Sequence, residues 1–369
     1  MILQKIREWI NLIGKPHKKR IQFKPLRLTV IGCAGTGKSV LINTLVACIR
    51  QMFKKNDSVL VAAPTGAAAH NIGGQTIHRE FKIGIGKGNK WSISKKAKEY
   101  LHEKLEHTIA VFFDERSMVS QRVLGNIEMN IRHTAHGGGH ENEDWGGIPV
   151  VVLFGDDFQL TPPCEDGAID AFSNQGHTEE TKNGAYHFIK LGETTLELKQ
   201  IIRQNEDQRE FRDVLGNTRV GYPSEDNVET ILSLHLNSGS FSMQEIEEIE
   251  GKALYIFANK KQMKEHNLER LKAQHSYENP VARLKAISTS KGKLLRNIPK
   301  CFKQDNQIEP VSNICRGAKV QLAGRNFEPD WGLYNGSIGT VKEIVFKKGE
   351  SPLDGTLPQY VIVEFLEYC

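Results

Sequence analysis

From Leu26 to Leu198 the chain alternates short apolar runs with longer segments of mixed polarity. Leu26-Arg27-Leu28-Thr29-Val30-Ile31, Ser58-Val59-Leu60-Val61-Ala62-Ala63, Thr108-Ile109-Ala110-Val111-Phe112-Phe113, Pro149-Val150-Val151-Val152-Leu153-Phe154 and Thr195-Leu196-Glu197-Leu198 have the length and texture of strands. Near-continuous apolar strands separated by helix-length segments predict an α/β fold, with a parallel sheet covered on both faces. Ligands of such sheets gather at the carboxyl ends of the strands. Ahead of the first strand, apolar residues at 2, 6, 10 and 13 form a helical stripe. It lacks the uncharged core and cleavage site of a secretory signal. It shares the amphipathic, acid-poor character of a mitochondrial presequence. The short basic loop behind it (Lys15, Lys18, Lys19, Arg20) favours a domain helix over 1–14. That loop reads as solvated or DNA-facing, with a nuclear import signal as the alternative.

Two segments interrupt the alternation. Ile83 to Lys98 is basic and glycine-rich and reads as a loop. Thr134 to Gly147 carries His136, His140 and a Gly137-Gly138-Gly139 run behind His133. Exposed glycines make a poor frame for metal ligands, so no metal site is expected there. After about Gln200 the texture changes. Asp207–Arg219 and Asp226–Leu234 predict helices, and Glu245–Glu250 is an acidic run. Ala253-Leu254-Tyr255-Ile256-Phe257 predicts a strand, with Lys260–Lys272 as its helix. Beyond Cys315, Ala318–Leu322, Ile338–Val345 and Tyr360–Phe365 predict a small β unit with a turn at Asn335-Gly336.

A chain of 369 residues can hold two or three domains. No apolar run is long enough to span a bilayer. Six scattered cysteines without C-x-x-C spacing suggest free thiols in a reducing compartment. Charge is unevenly spread. Residues 1–100 hold 19 Lys+Arg against 4 Asp+Glu, whereas residues 101–200 hold 7 against 17. A basic first quarter suits a polyanion partner such as nucleic acid, or is simply a solvated lysine-rich surface.

The candidate chemistry lies at the predicted strand ends. Gly32-Cys33-Ala34-Gly35-Thr36-Gly37-Lys38-Ser39 fits G-x-x-x-x-G-K-[ST] between a strand and a helix, the phosphate-binding P-loop. Gly32, Gly35, Thr36 and Gly37 would let backbone N–H groups turn toward phosphate oxygens. Lys38 would reach the β- and γ-phosphates of a bound nucleotide, and Ser39 would ligate Mg²⁺. The third strand ends in Asp114-Glu115. Asp114 would complete the metal shell and Glu115 would act as general base. Alternatively the two acids cap a helix ahead of Ser117-Met118-Val119. The fourth strand ends in Gly155-Asp156-Asp157-Phe158-Gln159-Leu160. There Gln159 suits sensing of a γ-phosphate and a water together, or merely sits in a Pro-terminated loop.

In order along the chain stand Gly-Thr-Gly-Lys-Ser (35–39), Ala-Pro-Thr-Gly-Ala-Ala-Ala (63–69), Thr-Ile-His (76–78), Asp-Glu-Arg-Ser-Met-Val (114–119), Gly-Asp-Asp-Phe-Gln-Leu (155–160) and Ile-Arg-Gln (202–204). This set resembles the Pif (petite integration frequency) DNA helicases, RecD-like enzymes of superfamily 1B, over nearly the whole chain. The resemblance implies a first RecA-like ATP-binding domain over 1–200 and a partial second RecA-like domain over 201–315. It implies a small SH3-like β insertion over 316–369. It further implies ATP-driven 5′-to-3′ movement on single-stranded DNA and unwinding of tailed duplex DNA, in repair, recombination and telomere maintenance, with nuclear residence. It makes Gln4 the adenine reader, Arg203 the arginine reaching the γ-phosphate from across a cleft, and Pro64, Thr65, Thr76 and His78 part of the DNA path. Arg203 would otherwise serve in a surface ion pair. Thr161 stands where the family commonly has proline. The family's Thr-x-His-Lys-x-Gln-Gly block and final arginine motif are not in this sequence. An incomplete second domain is therefore expected, with a non-unwinding, ATP-responsive single-strand-binding remnant as the alternative function.

Overall fold

The computed structural model describes residues 1–12, 23–84, 91–134, 143–162, 177–286, 289–290, 293–294, 311–323, 327–328, 331–351 and 356–365. The basic loop at 15–20 and the His136–His140 run lie outside the described residues. The chain divides into two compact units, Met1–Thr230 and Ile231–Cys369.

The first unit begins with helix α1 (Ile2–Ile10), then strand β1 (Leu26–Gly32) and helix α2 (Lys38–Phe53). Next come β2 (Val59–Ala63), α3 (Gly66–Asn71), β3 (Gln75–Thr76), α4 (Ile77–Glu80) and α5 (Lys95–Leu105). β4 (Ala110–Phe113), α6 (Gln121–Arg132), β5 (Val150–Gly155), α7 (Glu179–Gly192) and β6 (Thr195–Leu198) complete the sheet, and α8 (Arg209–Arg219) and α9 (Glu225–Ser233) follow. The sheet has six strands in the order β3-β2-β4-β5-β1-β6, and every pairing is parallel. β1 runs beside β5 from Leu26↔Val150 to Ile31↔Gly155.

The reason for the continuous apolar strands is visible in their two faces. Leu28 and Val30, Val59 and Val61, Phe112, and Val152 and Phe154 bury into one core with α1, α2 and α3. Leu60, Val111, Phe113, Val151 and Leu153 bury into a second core with residues of α4, α5, α6 and α7. Burial on both faces removes the polar alternation of a one-sided sheet. Each predicted strand of this unit forms within two residues of its expected ends.

The second core rests on one hydrogen-bonded network. Glu128 of α6 accepts from Trp145 N–H at 3.1 Å and Asn183 Nδ2 at 2.7 Å. It faces Arg132 Nε at 3.2 Å and His187 Nε2 at 3.5 Å. The Trp145 indole donates to His187 Nδ1 at 3.1 Å, which leaves His187 Nε2 as the donor toward Glu128. Burial pushes the Glu128 carboxyl up, but the bonds from His187, Asn183 and Trp145 outweigh it and hold the group below its usual range.

The second unit is built differently. It carries α10 (Met243–Lys252), α11 (Lys260–Gln274), β7 (Ala282–Lys285), β8 (Thr289–Ser290), β9 (Lys293–Leu294), β10 (Val311–Ile314), β11 (Lys319–Gln321), β12 (Ile338–Val345) and β13 (Tyr360–Glu364). β7 pairs with β10, β8 with β9, and β11-β12-β13 form an antiparallel sheet. The expected small β unit is this three-stranded sheet. The strand expected at 253–257 does not form. Those residues have no sheet partner, Leu254 and Ile256 are exposed, and Tyr255 and Phe257 instead lie 4.1 and 5.2 Å from the His266 ring of α11. The loop expected over 83–98 ends early, because Ser94 Oγ accepts from Ala97 N–H and starts α5 at Lys95. The boundary expected at 200 falls inside the first unit, where Arg219 at the end of α8 pairs with Asp156. No helix among the described residues is long and apolar enough to cross a membrane.

Candidate functional site

A wholly parallel sheet puts the carboxyl ends of its strands on one edge, and every candidate residue except Gln4 follows such an end. Gln4 is exposed on α1.

The P-loop joins β1 to α2. Gly35 and Gly37 adopt φ of +84° and +87°, a region that favours glycine. A Cβ on Gly32 would lie 2.5 Å from Thr36 Oγ1, and one on Gly35 would lie 2.7 Å from the Arg203 Cβ. β6 neighbours β1, so the chain leaving β6 folds over this loop. The N–H groups of Ile202 and Arg203 donate to Gly35 O at 2.8 and 3.2 Å. The backbone of Arg203 therefore lies beside the P-loop within the same unit. The Lys38 ammonium donates to Gly32 O at 2.7 Å and Cys33 O at 3.0 Å. It is held over the loop, close enough to Asp114 and Glu115 to favour their ionised forms.

Asp114 leaves β4 with its N–H donating to Ala62 O at 3.0 Å. Its carboxylate accepts from Glu115 N–H at 2.9 Å. Burial pushes its carboxyl above the usual range, against the pull of that bond and of Lys38. Glu115 sits at φ 53° and ψ 50°, a costly conformation for a residue with a Cβ. Its carboxyl is also raised, by burial first and then by the nearby charges of Asp114 and Asp156, with Lys38 opposing. The capping alternative does not hold. Glu115 makes no capping bond, and α6 is capped by Ser120, which accepts from Val123 N–H.

At the end of β5, the Asp156 carboxylate gathers three donors. Phe158 N–H and Gln159 Nε2 each approach at 3.1 Å, and Arg219 Nη1 pairs with Oδ2. The neighbouring Asp157 pairs with Arg116 Nε at 3.0 Å, tying the end of β5 to the end of β4.

Pro64 and Thr65 follow β2, and Thr76 ends β3. The pairing of Ala63 with Thr76 puts these residues side by side. Thr65 Oγ1 accepts from Ala68 N–H at 3.3 Å and caps α3. His78 lies in the first turns of α4, where burial depresses its pKa, so the ring is neutral at pH 7. The structure thus brings Lys38, Asp114 and Glu115 together, and sets Pro64, Thr65, Thr76 and His78 on adjacent strand ends. β3 itself, Arg219 and the Arg116–Asp157 pair were not anticipated. Their partners lie far apart in sequence, and no local pattern marks them.

These residues fit a nucleotide phosphate and a divalent cation. The loop is a cradle that side chains would fill, with a cation at its mouth. The Ser39 hydroxyl in the first turn of α2 and the Asp114 carboxylate are hard oxygen donors of the kind Mg²⁺ takes. Buried carboxyls with raised pKa values are groups that a cation would stabilise. A second acidic set, Glu128, Asp144 and His187, also has metal-like spacing among the described residues. Its Glu128 and His187 atoms are already engaged in the core network, so it is read as structural.

Comparison with known proteins adds an independent line. A family model described as PIF1-like helicase matches residues 16–229. The "ATP-dependent DNA helicase PIF1" of Candida albicans is 30% identical over 330 residues, covering 87% of this chain and 33% of that protein. The "ATP-dependent DNA helicase RRM3" of Saccharomyces cerevisiae is 27% identical over 336 residues, covering 90% of this chain and 41% of that protein. The chain thus spans between a third and about two fifths of the length of these curated relatives. A crystal structure of Pif1 helicase from Bacteroides, in complex with ADP-AlF3 and ssDNA, aligns with 25% identity and a TM-score of 0.58, covering 89% of this chain and 68% of that one.

Proposed function

The chain belongs to the PIF1-like helicase family, and from that premise we propose that it is an ATP-dependent DNA motor that moves 5′ to 3′ on single-stranded DNA. The observation that carries this reading is the convergence of the P-loop, Asp114-Glu115 and the Asp156–Gln159 segment on one sheet edge. The Bacteroides relative, solved with ADP-AlF3 and ssDNA, supports carrying both ligand classes to this chain.

In the proposed mechanism, P-loop N–H groups and Lys38 bind the β- and γ-phosphates of ATP. Ser39 and Asp114 hold Mg²⁺, which when bound neutralises phosphate charge and polarises the transferred group. Glu115 takes a proton from the attacking water. Its raised pKa makes it a stronger base than an ordinary glutamate. Gln159 presents an amide at the same edge, and Arg203, whose Cβ lies beside Gly35, is assigned to balance charge building on the phosphoryl group. Gln4 is assigned to the adenine. In the second unit, α10 and α11 are assigned to the second RecA-like domain and the β11-β12-β13 sheet to the insertion.

Single-stranded DNA is assigned to the ends of β2 and β3. Thr65 and Thr76 hydroxyls suit phosphate oxygens, and the neutral His78 ring offers stacking or one N–H donor. The basic first hundred residues supply the long-range attraction. Binding is therefore governed by the backbone, with weak sequence preference. Fluorescence anisotropy with a labelled oligonucleotide should show affinity falling about 10-fold or more for a fourfold rise in salt. Affinity that is flat with salt, or a preference for blunt duplex, would contradict the assignment.

A further inference from the structure

We infer that Arg219 is a positioning residue of the nucleotide site, acting through Asp156 to fix the side-chain amide of Gln159. The inference rests on the ATP-hydrolysis reading above for its kinetic consequence only. Its geometric content stands on the side chains themselves.

Arg219 ends α8, 63 residues from the acid it pairs with. The Asp156 side chain is fully buried, whereas that of Arg219 is 26% exposed. Taking such a carboxylate out of water is costly unless a cation and donors compensate. Arg219 supplies the cation, and Phe158 N–H and Gln159 Nε2 supply the remaining bonds. Burial alone would raise the Asp156 carboxyl, yet these partners hold it below its usual range. The other charged groups around it are Glu115 and Asp157, with Arg116 engaged by Asp157. The Arg219 guanidinium also lies over the Phe158 ring, 4.6 Å from its centroid. It therefore grips the segment 156–159 at two points.

Gln159 has one amide with a donor end and an acceptor end. Anchoring Nε2 on Asp156 fixes the direction of Oε1. Without Arg219 the buried Asp156 loses its cation and is driven toward the protonated form, which hydrogen-bonds Nε2 less well. The amide is then free to turn. Residues 201–204 lie on the P-loop just ahead of α8, so the segment 201–219 braces the site at both ends. Its start lies on Gly35 and its end on Asp156.

The test compares Arg219→Met, Arg219→Lys, Gln159→Ala and the Gln159→Ala/Arg219→Met double variant in the full chain. ATP turnover is measured alongside the NMR signal of the Gln159 side-chain amide, identified by its loss in Gln159→Ala. In Arg219→Met the amide signal should move, and kcat should fall about 10²-fold with KM for ATP little changed. Arg219→Lys keeps the charge and should recover most of the turnover. In the Gln159→Ala background, Arg219→Met should cost nothing further, because the two act through one contact. A merely structural arginine would give independent, multiplying losses, and that result overturns the inference. An unmoved amide signal in Arg219→Met overturns it too. If the wild-type chain releases no phosphate, the hydrolysis reading has failed, and the amide signal alone decides the role of Arg219.

Discussion

Lys38→Ala should abolish detectable ATP turnover and weaken nucleotide binding by about 10²-fold or more, the scale of losing one aimed charge in a water-poor site. Lys38 is the cation at the mouth of the loop, donating to Gly32 O and Cys33 O. It also favours the ionised forms of Asp114 and Glu115. Removing it takes away the charge that meets the phosphates. It also leaves the buried Asp114 and half-buried Glu115 carboxyls with less reason to ionise, which weakens the metal ligand and the base together. The fold should survive, because the loop turns depend on Gly35, Gly37 and the Thr36–Cys33 bond, none of which needs the lysine. Titration with a fluorescent ATP analogue, beside a thermal melt, checks both halves. Wild-type affinity in Lys38→Ala would mean that the phosphates bind elsewhere.

Gly184→Ala and Gly125→Ala should each cost about 3 kcal/mol of stability, the upper end of overpacking. The two glycines make a reciprocal contact between α6 and α7. A Cβ on Gly184 would lie 1.7 Å from Gln121 O, and one on Gly125 would lie 1.9 Å from Glu180 O. Both obstacles are backbone, so no rotamer change relieves them and the helices must part. Parting them opens the core where Leu124, Ile127 and Ile131 of α6 meet Phe188 and Leu191 of α7. It also strains the Asn183 amide, which donates to Gly125 O at 3.2 Å and to Glu128 at 2.7 Å. Alanine's better helix propensity returns only about 1 kcal/mol. Urea denaturation followed by circular dichroism measures the loss. A variant as stable as wild type would show that the helices do not approach this closely.

The first unit was legible because its code is local. Five apolar runs of strand length are long enough to identify themselves, and the P-loop carries its own glycines and lysine. Asp114 and Glu115 were readable as acids at the end of an apolar strand. The short β3 was not, because Gln75 and Thr76 pair with β2 through only two residues. The run at 253–257 misled for the opposite reason. Apolar residues alone do not make a strand, and here exposed Leu254 and Ile256 flank Tyr255 with no partner strand beside them. Arg219 and the Gly125–Gly184 crossing are tertiary facts. Each joins residues more than fifty positions apart, and one arginine or glycine in a helix looks like any other. The roles of Pro64, Thr65, Thr76, His78, Gln4 and Arg203 came from resemblance. Of these, Arg203 has its backbone on the P-loop, bonded to Gly35 O.

Hydrolysis at the Asp114-Glu115 strand end is the activity on which every assigned role at this edge depends. Single-turnover phosphate release from ATP by the 369-residue chain, with and without a single-stranded oligonucleotide, tests it in one experiment. Wild type should release phosphate in a Mg²⁺-dependent burst that the oligonucleotide accelerates. Glu115→Gln should bind ATP normally yet release phosphate about 10²-fold or more slowly, because an amide cannot take the proton from water. Equal release by wild type and Glu115→Gln, or none by wild type above a protein-free control, would contradict it.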